Sequence, residues 1–301
     1  MALTSMTNRT AGDSITASDW DIARNNILLI TGTAEDSTQE GWGQSWSVFN
    51  PAAGQTITDT DTNDMINAAQ DIAVYTGATS NVSDVSDGAT IQDTDLNSIQ
   101  STITNGYNAR TNAASSYLSQ EAKDTSTRTT AWSTTVTHDA TVTFSSEAHR
   151  NSFFNAGGSI YFTASRSGGA SNDQNTDWTN MLSAAGTIKM TFTATTGASG
   201  TNTSLGMYDL TTSYQTIYTK AGSGSYSTNF YKIEAKAPNA SSIRFLITFG
   251  DSHTGRGYFD QVDGTLTSVI GQFRPNSGTL PNGFDVVVST PTYATNTEIS
   301  A

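Results

Sequence analysis

The densest group of potential metal ligands lies in a short acidic stretch near residue 60. Asp59, Asp61 and Asn63 place oxygen ligands at the first, third and fifth positions of a calcium loop. The match ends there, because position six is Asp64 instead of glycine and position twelve is Gln70 instead of a bidentate glutamate. Helix capping explains the same residues, so we expect neither a bound metal nor a cofactor.

Other residue types that take part in catalysis are present but scattered. The three histidines show no zinc-binding spacing, and they are His138, His149 and His253. Three aspartates could supply the carboxylate pair of a glycosidase, although acids in turns are the ordinary explanation, and they are Asp251, Asp260 and Asp263. The sequence contains no nucleophile elbow, P-loop or dinucleotide-binding motif. It therefore predicts a protein that is not an enzyme.

Aromatic residues supply the remaining candidate chemistry. Six of them fall between residues 208 and 231, namely Tyr208, Tyr214, Tyr218, Tyr226, Phe230 and Tyr231. On an exposed strand, tyrosine rings with asparagine and aspartate nearby could stack on sugar rings. Core packing explains alternating aromatic residues equally well. Host surface glycans thus stay an alternative partner.

The acidic stretch near residue 60 belongs to a pattern that occurs three times in the first hundred residues. Each copy has a glycine, an isoleucine three residues later, a hydroxyl residue at six, an aspartate at seven and Asp or Asn at nine. The copies start at Gly12, Gly54 and Gly88, and each leads into apolar residues at helical spacing. Spacings of 42 and 34 residues are too unequal for a regular solenoid. We therefore expect three related helical units that build a scaffold.

The repeated hydroxyl and aspartate residues predict where these helices begin. A hydroxyl residue accepts a backbone N–H as the N-cap, and the predicted N-caps are Ser18, Thr60 and Thr94. The next residue in each copy complements the positive end of the helix, and these residues are Asp19, Asp61 and Asp95. On this placement the third helical position holds Asp or Asn, so the capping box is only approximate.

Apolar residues at three- and four-residue spacing predict the buried faces of the helices. The helices are expected over about 19–29 and 61–75, and over roughly 25 residues from 96 to 121. The residues assigned to the faces are Trp20, Ile27, Ile66, Ile72, Leu96, Ile99, Ile103, Tyr107 and Tyr117. The nearly heptad stripe of the third helix could pack against the other two or against copies of itself. In both cases it is predicted to be an interaction surface.

From about residue 129 the apolar period changes to that of β-strands. Strands are predicted at 132–144, 158–165, 187–194, 205–210, 214–219, 229–236, 242–249, 257–263, 265–273 and 284–289. A short helix is expected over 176–185, with Thr176 or Asn175 as its cap. The predicted fold class is therefore α+β. A helical region for anchoring and assembly (1–127) precedes an antiparallel β-sandwich or jelly-roll-like domain (128–301).

Composition and charge restrict the classes of partner. Cysteine is absent, which excludes disulfides and thiolate metal sites. Residues 1–127 carry 16 acidic and 4 basic side chains, whereas 128–301 carry 11 and 10. An acidic N-terminal half disfavours nucleic acid and fits a protein with a basic surface, or cations from the medium. No apolar run has the length of a membrane span or of a signal-peptide core, so we expect synthesis in a cytoplasm and no membrane contact.

Several segments resemble structural proteins of tailed bacteriophages, mostly from marine and cyanobacterial phages. They are the threefold pattern, the link Gly41-Trp42-Gly43-Gln44, and residues 149–169, 175–182 and 260–266. The resemblance spans most of the chain and includes no catalytic motif. It implies a component of the virus particle without indicating its position in the neck, tail, baseplate, fibre or head.

The sequence thus predicts a non-enzymatic structural component of a tailed-phage virion. We expect it to bind copies of itself and other virion structural proteins, as a symmetric oligomer formed through its N-terminal helices. The alternatives are a receptor- or glycan-binding module of a tail fibre and a capsid decoration protein.

Overall fold

A computed structural model describes residues 2–10, 13–32, 41–52, 54–254 and 261–299. In these ranges the chain is α+β, with five α-helices and two antiparallel sheets. The helices are α1 (Ala17–Thr31), α2 (Asp59–Thr76), α3 (Asp93–Ala109), α4 (Glu147–Asn155) and α5 (Asp173–Ala185). The strands are β1 (Leu118–Arg128), β2 (Thr135–Thr143), β3 (Ser159–Ser167), β4 (Ile188–Met190), β5 (Thr195–Thr196), β6 (Thr201–Asn202), β7 (Gln215–Ala221), β8 (Phe230–Asn239), β9 (Ser242–Gly250), β10 (Thr265–Thr279), β11 (Asp285–Val287) and β12 (Thr292–Thr297).

Packing divides the chain into two compact units. Unit 1 consists of Met1–Ser119, Asn151–Gly158 and Arg274–Ser289, and it contains α1, α2 and α3. Unit 2 consists of Gln120–Arg150, Ser159–Phe273 and Thr290–Ala301. Strand structure begins at Leu118, ahead of the boundary expected after residue 127. Two later segments of the chain return to unit 1, which no local sequence pattern indicates.

The third helix is shorter than predicted. It ends at Ala109, and Tyr117 lies in the 3-10 turn Ser115–Tyr117 instead of on a helix face. Residues 118–128 form the edge strand β1 beside β10, although the stripe predicted for the third helix extends to Glu121. Strand pairing with a distant part of the chain has overridden the local helical pattern.

The segment 274–289 completes unit 1 from the other end of the sequence. The Asp71 carboxylate is fully buried and accepts the backbone N–H groups of Asn282 at 3.2 Å and Phe284 at 3.3 Å. Burial raises the pKa of Asp71, and these donors oppose the rise. The Trp46 indole donates to the Asp285 carbonyl at 2.7 Å and stacks on Phe284 with 4.5 Å between ring centroids.

The β-rich region forms two six-stranded sheets. One has the order β1-β10-β3-β4-β5 with β11 also beside β10, and the other has the order β12-β2-β9-β8-β7-β6. Within unit 2, Phe162 of β3 meets Phe245 of β9 at 4.9 Å between ring centroids. Helix α5 starts at Asp173 with Asn172 as its cap, three residues before the expected start. Its Trp178 is fully buried, 5.9 Å from the ring of Trp132.

The other predicted strands have mixed outcomes. Eight predicted strands overlap observed strands, which are β2, β3, β4, β7, β8, β9, β10 and β11. In the same order, the predicted ranges are 132–144, 158–165, 187–194, 214–219, 229–236, 242–249, 265–273 and 284–289. The one at 205–210 is wrong, because Met207–Asp209 form a 3-10 turn. Most of the one at 257–263 lies outside the described residues. Helix α4 and strands β1, β5, β6 and β12 were not predicted.

Candidate functional site

Helices α1 and α2 each begin with a capping box closed by an aspartate. Thr16 donates its N–H and hydroxyl to Asp19 Oδ2, both at 2.8 Å. Thr58 donates the same two groups to Asp61 Oδ2, at 2.9 and 2.7 Å, and the Asp61 N–H returns a bond to Thr58 Oγ1 at 3.2 Å. Each aspartate is therefore the third helical residue, where its negative charge faces the positive end of the helix.

Helix α3 starts in the same way, with glutamine as the N-cap. The Gln92 N–H donates to Asp95 Oδ2 at 2.7 Å. The predicted N-caps are wrong by two residues in all three helices, because the aspartate reaches back to the residue three positions before it. Ser18, Thr60 and Thr94 lie inside the first turns and are exposed.

The first of these aspartates also binds an arginine. Asp19 is 6% exposed and forms an ion pair with Arg9. Burial opposes the ionisation of Asp19, but the hydrogen bonds from Arg9 and Thr16 outweigh it and lower its pKa. Contacts within the chain therefore occupy the carboxylate, and it is not open to a ligand.

Asparagine side chains hold extended segments against the helices. Asn63 of α2 donates to the Val85 carbonyl at 2.9 Å and accepts the Val85 N–H at 2.8 Å. Asn97 of α3 does the same with Arg9, at 2.9 and 3.0 Å. Both asparagines stand at the ninth position of the pattern, and both partners precede the glycine of another copy by three residues.

We call each of these pairs of hydrogen bonds between an asparagine side chain and a backbone N–H and carbonyl a clasp. Each clasp fixes the segment that leads into a neighbouring helix. Asn63 of α2 holds the approach to α3, and Asn97 of α3 holds the approach to α1. The corresponding pair for α1 and the approach to α2 is Asp21 and Pro51. Proline has no backbone N–H, so this third clasp cannot form in the same way.

The far ends of the three helices meet at one tryptophan. Trp42 is fully buried, and its backbone N–H donates to the Ile30 carbonyl of α1 at 3.0 Å. Its ring lies 4.9 Å from that of Tyr75 near the end of α2, and its indole N–H donates to the carbonyl of Arg110, just after α3, at 2.9 Å. Since α1, α2 and α3 all end near Trp42, they run in the same direction.

The aligned positions of the three helices are buried together. Counted from each glycine, positions eight, eleven, fifteen and eighteen are buried in all three helices. In that order the sets are Trp20, Thr62 and Leu96; Ala23, Met65 and Ile99; Ile27, Ala69 and Ile103; and Ile30, Ile72 and Gly106. Each set combines two larger residues with one small residue. At position eighteen a Cβ on Gly106 would lie 2.3 Å from Ile72 Cγ2, so α2 touches α3 at equal height.

Most residues assigned to the helix faces are already covered by their own chain. Seven of them are at most 1% exposed, and they are Trp20, Ile27, Ile66, Ile72, Leu96, Ile99 and Ile103. Tyr107 is half-buried under the Arg110 guanidinium, 3.9 Å from the ring centroid, and Tyr117 stacks on Tyr75 at 5.8 Å. Of the two roles left open for the stripe on α3, packing within the chain accounts for its burial.

The starts of the three helices converge on a cavity that the sequence did not predict. The isoleucines at the third position of the pattern, Ile15, Ile57 and Ile91, line it together with Ala17 and Trp20. Its volume is about 310 Å³, and Ala52, Gly54 and Gln55 complete the lining. All three isoleucines stay half-buried. The only sequence signal for the cavity was the identity of the residue three positions after each glycine.

The calcium-like residues of α2 are occupied by bonds within the chain. Asp59 accepts the N–H of Thr60 at 2.7 Å and that of Gly88 at 3.0 Å, and these bonds lower its pKa. Asp61 closes the capping box, and Asn63 forms a clasp. In the part of the chain that the structure describes, no group of three or more histidine, aspartate or glutamate side chains could hold a metal ion.

Two of the three carboxylates considered for glycosidase chemistry bind other groups of the chain. Asp251 is 6% exposed and accepts the amide of Gln174 at 2.9 Å. Asp263 accepts the Ala170 N–H at 3.0 Å and pairs with Arg166. Asp260 lies outside the described residues.

Unit 2 contains an Asp–His–Ser line that the sequence did not reveal. His138 Nε2 lies 3.3 Å from Asp124 Oδ2, and His138 Nδ1 lies 3.0 Å from Ser268 Oγ. His138 and Ser268 are 0% exposed and Asp124 is 8% exposed, so no substrate reaches the hydroxyl. Burial lowers the pKa of His138 even though Asp124 opposes the shift. The line joins three strands and does not form a hydrolase site.

The aromatic residues proposed for glycan contact differ in exposure. Tyr218 and Tyr231 are fully buried, which removes them from a sugar-binding surface. Tyr214 is half-buried below Lys236 Nζ, which lies 4.3 Å from its ring centroid, and Tyr208 is exposed. Tyr226 and Phe230 are also half-buried, so Tyr208 alone of the six is exposed.

The chain matches no family model, no characterised protein and no solved structure. Among the described residues, no helix combines the length and apolar character needed to cross a membrane.

Proposed function

We propose that this protein is a non-enzymatic structural component of a tailed-phage virion, bound to copies of itself and to other virion proteins. The observation that carries the proposal is the role of the residues on which the phage resemblance rests. In unit 1 they are structural: Trp42 ties the ends of three helices, Gln44 donates to the Trp42 carbonyl at 2.9 Å, and Asn155 donates to the Gly41 carbonyl at 3.0 Å.

The corresponding residues of unit 2 have the same kind of role. Arg166 donates to the Asp263 carbonyl at 2.7 Å and to the Asn175 carbonyl at 3.3 Å. The Asp263 N–H returns a bond to Asn175 Oδ1 at 3.1 Å. These contacts join β3, α5 and the approach to β10. These residues hold separate segments of the chain to one another.

We also propose that the two sheets form the jelly-roll-like sandwich expected from the sequence. The contact between Phe162 and Phe245 and the buried line from His138 to Ser268 support this, because each joins a strand of one sheet to a strand of the other. A sandwich of this kind supplies a rigid module for a particle.

Assembly then uses the outside of the N-terminal helices instead of their buried faces. The apolar stripe is covered within one chain, so it is unavailable to a second copy in this conformation. The surfaces left for symmetric association are the exposed helix sides and the converging helix starts.

Two measurements test the proposal. Antibodies raised against the purified chain should label intact particles of the phage that encodes it, at one position along the virion, in negative-stain electron microscopy. Sedimentation of the purified chain at micromolar concentration should show an oligomer. A monomer that labels no particle would overturn the proposal, and saturable binding on a glycan array would favour the receptor-binding alternative.

A further inference from the structure

The cavity at the helix starts is open and lined by three isoleucines, and aspartates occupy the first turns of α2 and α3 just after two of them. We propose that it receives one apolar side chain, aromatic or leucine-like, from a partner protein segment that carries lysine or arginine on both sides of that residue. The inference rests on the proposed function only for where the partner lies, since it names the chemistry by which unit 1 holds another protein.

The lining determines the kind of group that enters the cavity. Three isoleucine side chains from three different helix starts, with Ala17 and the buried Trp20, supply the apolar part of a lining that also includes Gln55. A volume of about 310 Å³ lies at the lower end of ligand-binding cavities and is about ten times the space of one liquid water. It suits one large side chain as an anchor, which is how small interfaces concentrate their affinity.

The half-burial of Ile15, Ile57 and Ile91 indicates that the cavity benefits from being covered. Each isoleucine leads directly into the capping box of its own helix, so its position is fixed before any partner arrives. A preformed cavity loses little conformational entropy when it is filled.

Charge determines what flanks the anchor. Asp59, Asp61, Asp93 and Asp95 lie in the first turns of α2 and α3 and are half-buried. Residues 1–119 carry 14 acidic side chains and only 3 basic ones. Of the basic residues, Arg9 pairs with Asp19, Arg24 donates to the Val48 carbonyl at 3.4 Å, and Arg110 lies at the opposite end of the bundle beside Tyr107.

The rim therefore carries net negative charge, although each helix start contributes a positive partial charge. Such a rim attracts lysine and arginine and repels acidic segments, and it acts most strongly on association at low salt. An apolar side chain between basic residues therefore matches both the isoleucines of the cavity and the negative charge of its rim.

The test uses the purified full chain and a fluorescently labelled, end-capped heptapeptide with one phenylalanine between two pairs of lysines. Fluorescence anisotropy should show saturable binding that weakens as salt is added. Replacing the phenylalanine by alanine, or all four lysines by glutamates, should weaken binding at least tenfold. Equal binding of the three peptides, or no binding of any, would overturn the inference.

Variants locate the binding. Ala17→Leu fills the cavity from the first turn of α1 and should weaken binding at least tenfold, while Val74→Leu adds apolar volume near the end of α2 and should leave it unchanged. If Ala17→Leu fails to fold, Ala52→Leu fills the cavity from the segment before α2. Unchanged binding by the folded cavity-filling variant would place the peptide elsewhere and refute the inference. Because no particle is involved, failure here leaves the virion proposal standing, and absence from virions leaves a positive peptide result standing.

Discussion

Replacing Gly106 by alanine should destabilise unit 1, although alanine normally favours a helix. A Cβ at this position would lie 2.3 Å from Ile72 Cγ2, whereas carbon atoms pack best at about 3.5–4.0 Å. Either α3 moves by about an ångström or Ile72 leaves its rotamer. Forcing a methyl group into a packed core costs about 1–3 kcal/mol.

The intrinsic preference for alanine offsets part of that cost. Glycine in a helix interior is about 0.5–1 kcal/mol less favourable than alanine. The free energy of unfolding should therefore fall by up to about 2.5 kcal/mol when both effects are combined. Asn108→Ala, on the exposed side of the same helix, is the matched control, and it should raise the free energy of unfolding by up to about 0.7 kcal/mol.

Second substitutions at Ile72 identify the clashing atom. Leucine lacks the γ-methyl on the β-carbon, so Ile72→Leu should recover about 1 kcal/mol or more in the Gly106→Ala background. Valine keeps that methyl group, so Ile72→Val should recover nothing. Urea unfolding followed by circular dichroism at 222 nm measures each variant. If Gly106→Ala stabilises the protein, or the two sites show no coupling, α2 and α3 do not meet at equal height and the parallel arrangement is refuted.

Three further outcomes are expected. Asp61→Ala opens the capping box of α2 and should lower the free energy of unfolding by about 0.5–2 kcal/mol in urea, whereas Thr60→Ala should change it by less than about 0.5; equal losses would contradict the assigned cap. Trp42→Phe keeps an aromatic ring but removes the bond to the Arg110 carbonyl, so it should cost at least about 0.5–1.5 kcal/mol in the same assay, and an unchanged midpoint would contradict the bond. Since burial lowers the pKa of His138, the unfolded chain takes up a proton that the folded chain resists, and thermal stability should fall as the pH drops below 6.5. His138→Gln should reduce this dependence, and a slope unchanged by the substitution would contradict it.

The pattern in the sequence showed that three helices exist but misplaced their starts. Two copies carry threonine at position four as well as a hydroxyl residue at position six, and the third copy has glutamine at position four. The position that holds a hydroxyl residue in every copy is that of Ser18, Thr60 and Thr94. A capping box needs its acidic residue three positions after the cap, and applying that spacing to Asp19, Asp61 and Asp95 gives the observed starts.

Other features depend on contacts that no local pattern encodes. Residues 118–128 became a strand because β10, far along the chain, pairs with them. The identical isoleucines were visible in the sequence, but their convergence requires the three helices to run in the same direction, and Trp42 shows this only in three dimensions. The line from Asp124 to Ser268 likewise joins residues on three separate strands.

The return of residues 274–289 to unit 1 affects how the protein is made. The helices leave the ribosome first, but Asn282 and Asp71, which bind each other, are 211 residues apart. During synthesis, a buried carboxylate and the Trp46 ring therefore lack their partners until nearly the whole chain has emerged. Domains usually fold as units in the order of synthesis, whereas here the N-terminal helices are completed among the last parts of the molecule. The buried Asp71 carboxylate thus gains its backbone donors only after residues 159–273 of unit 2 have been synthesised.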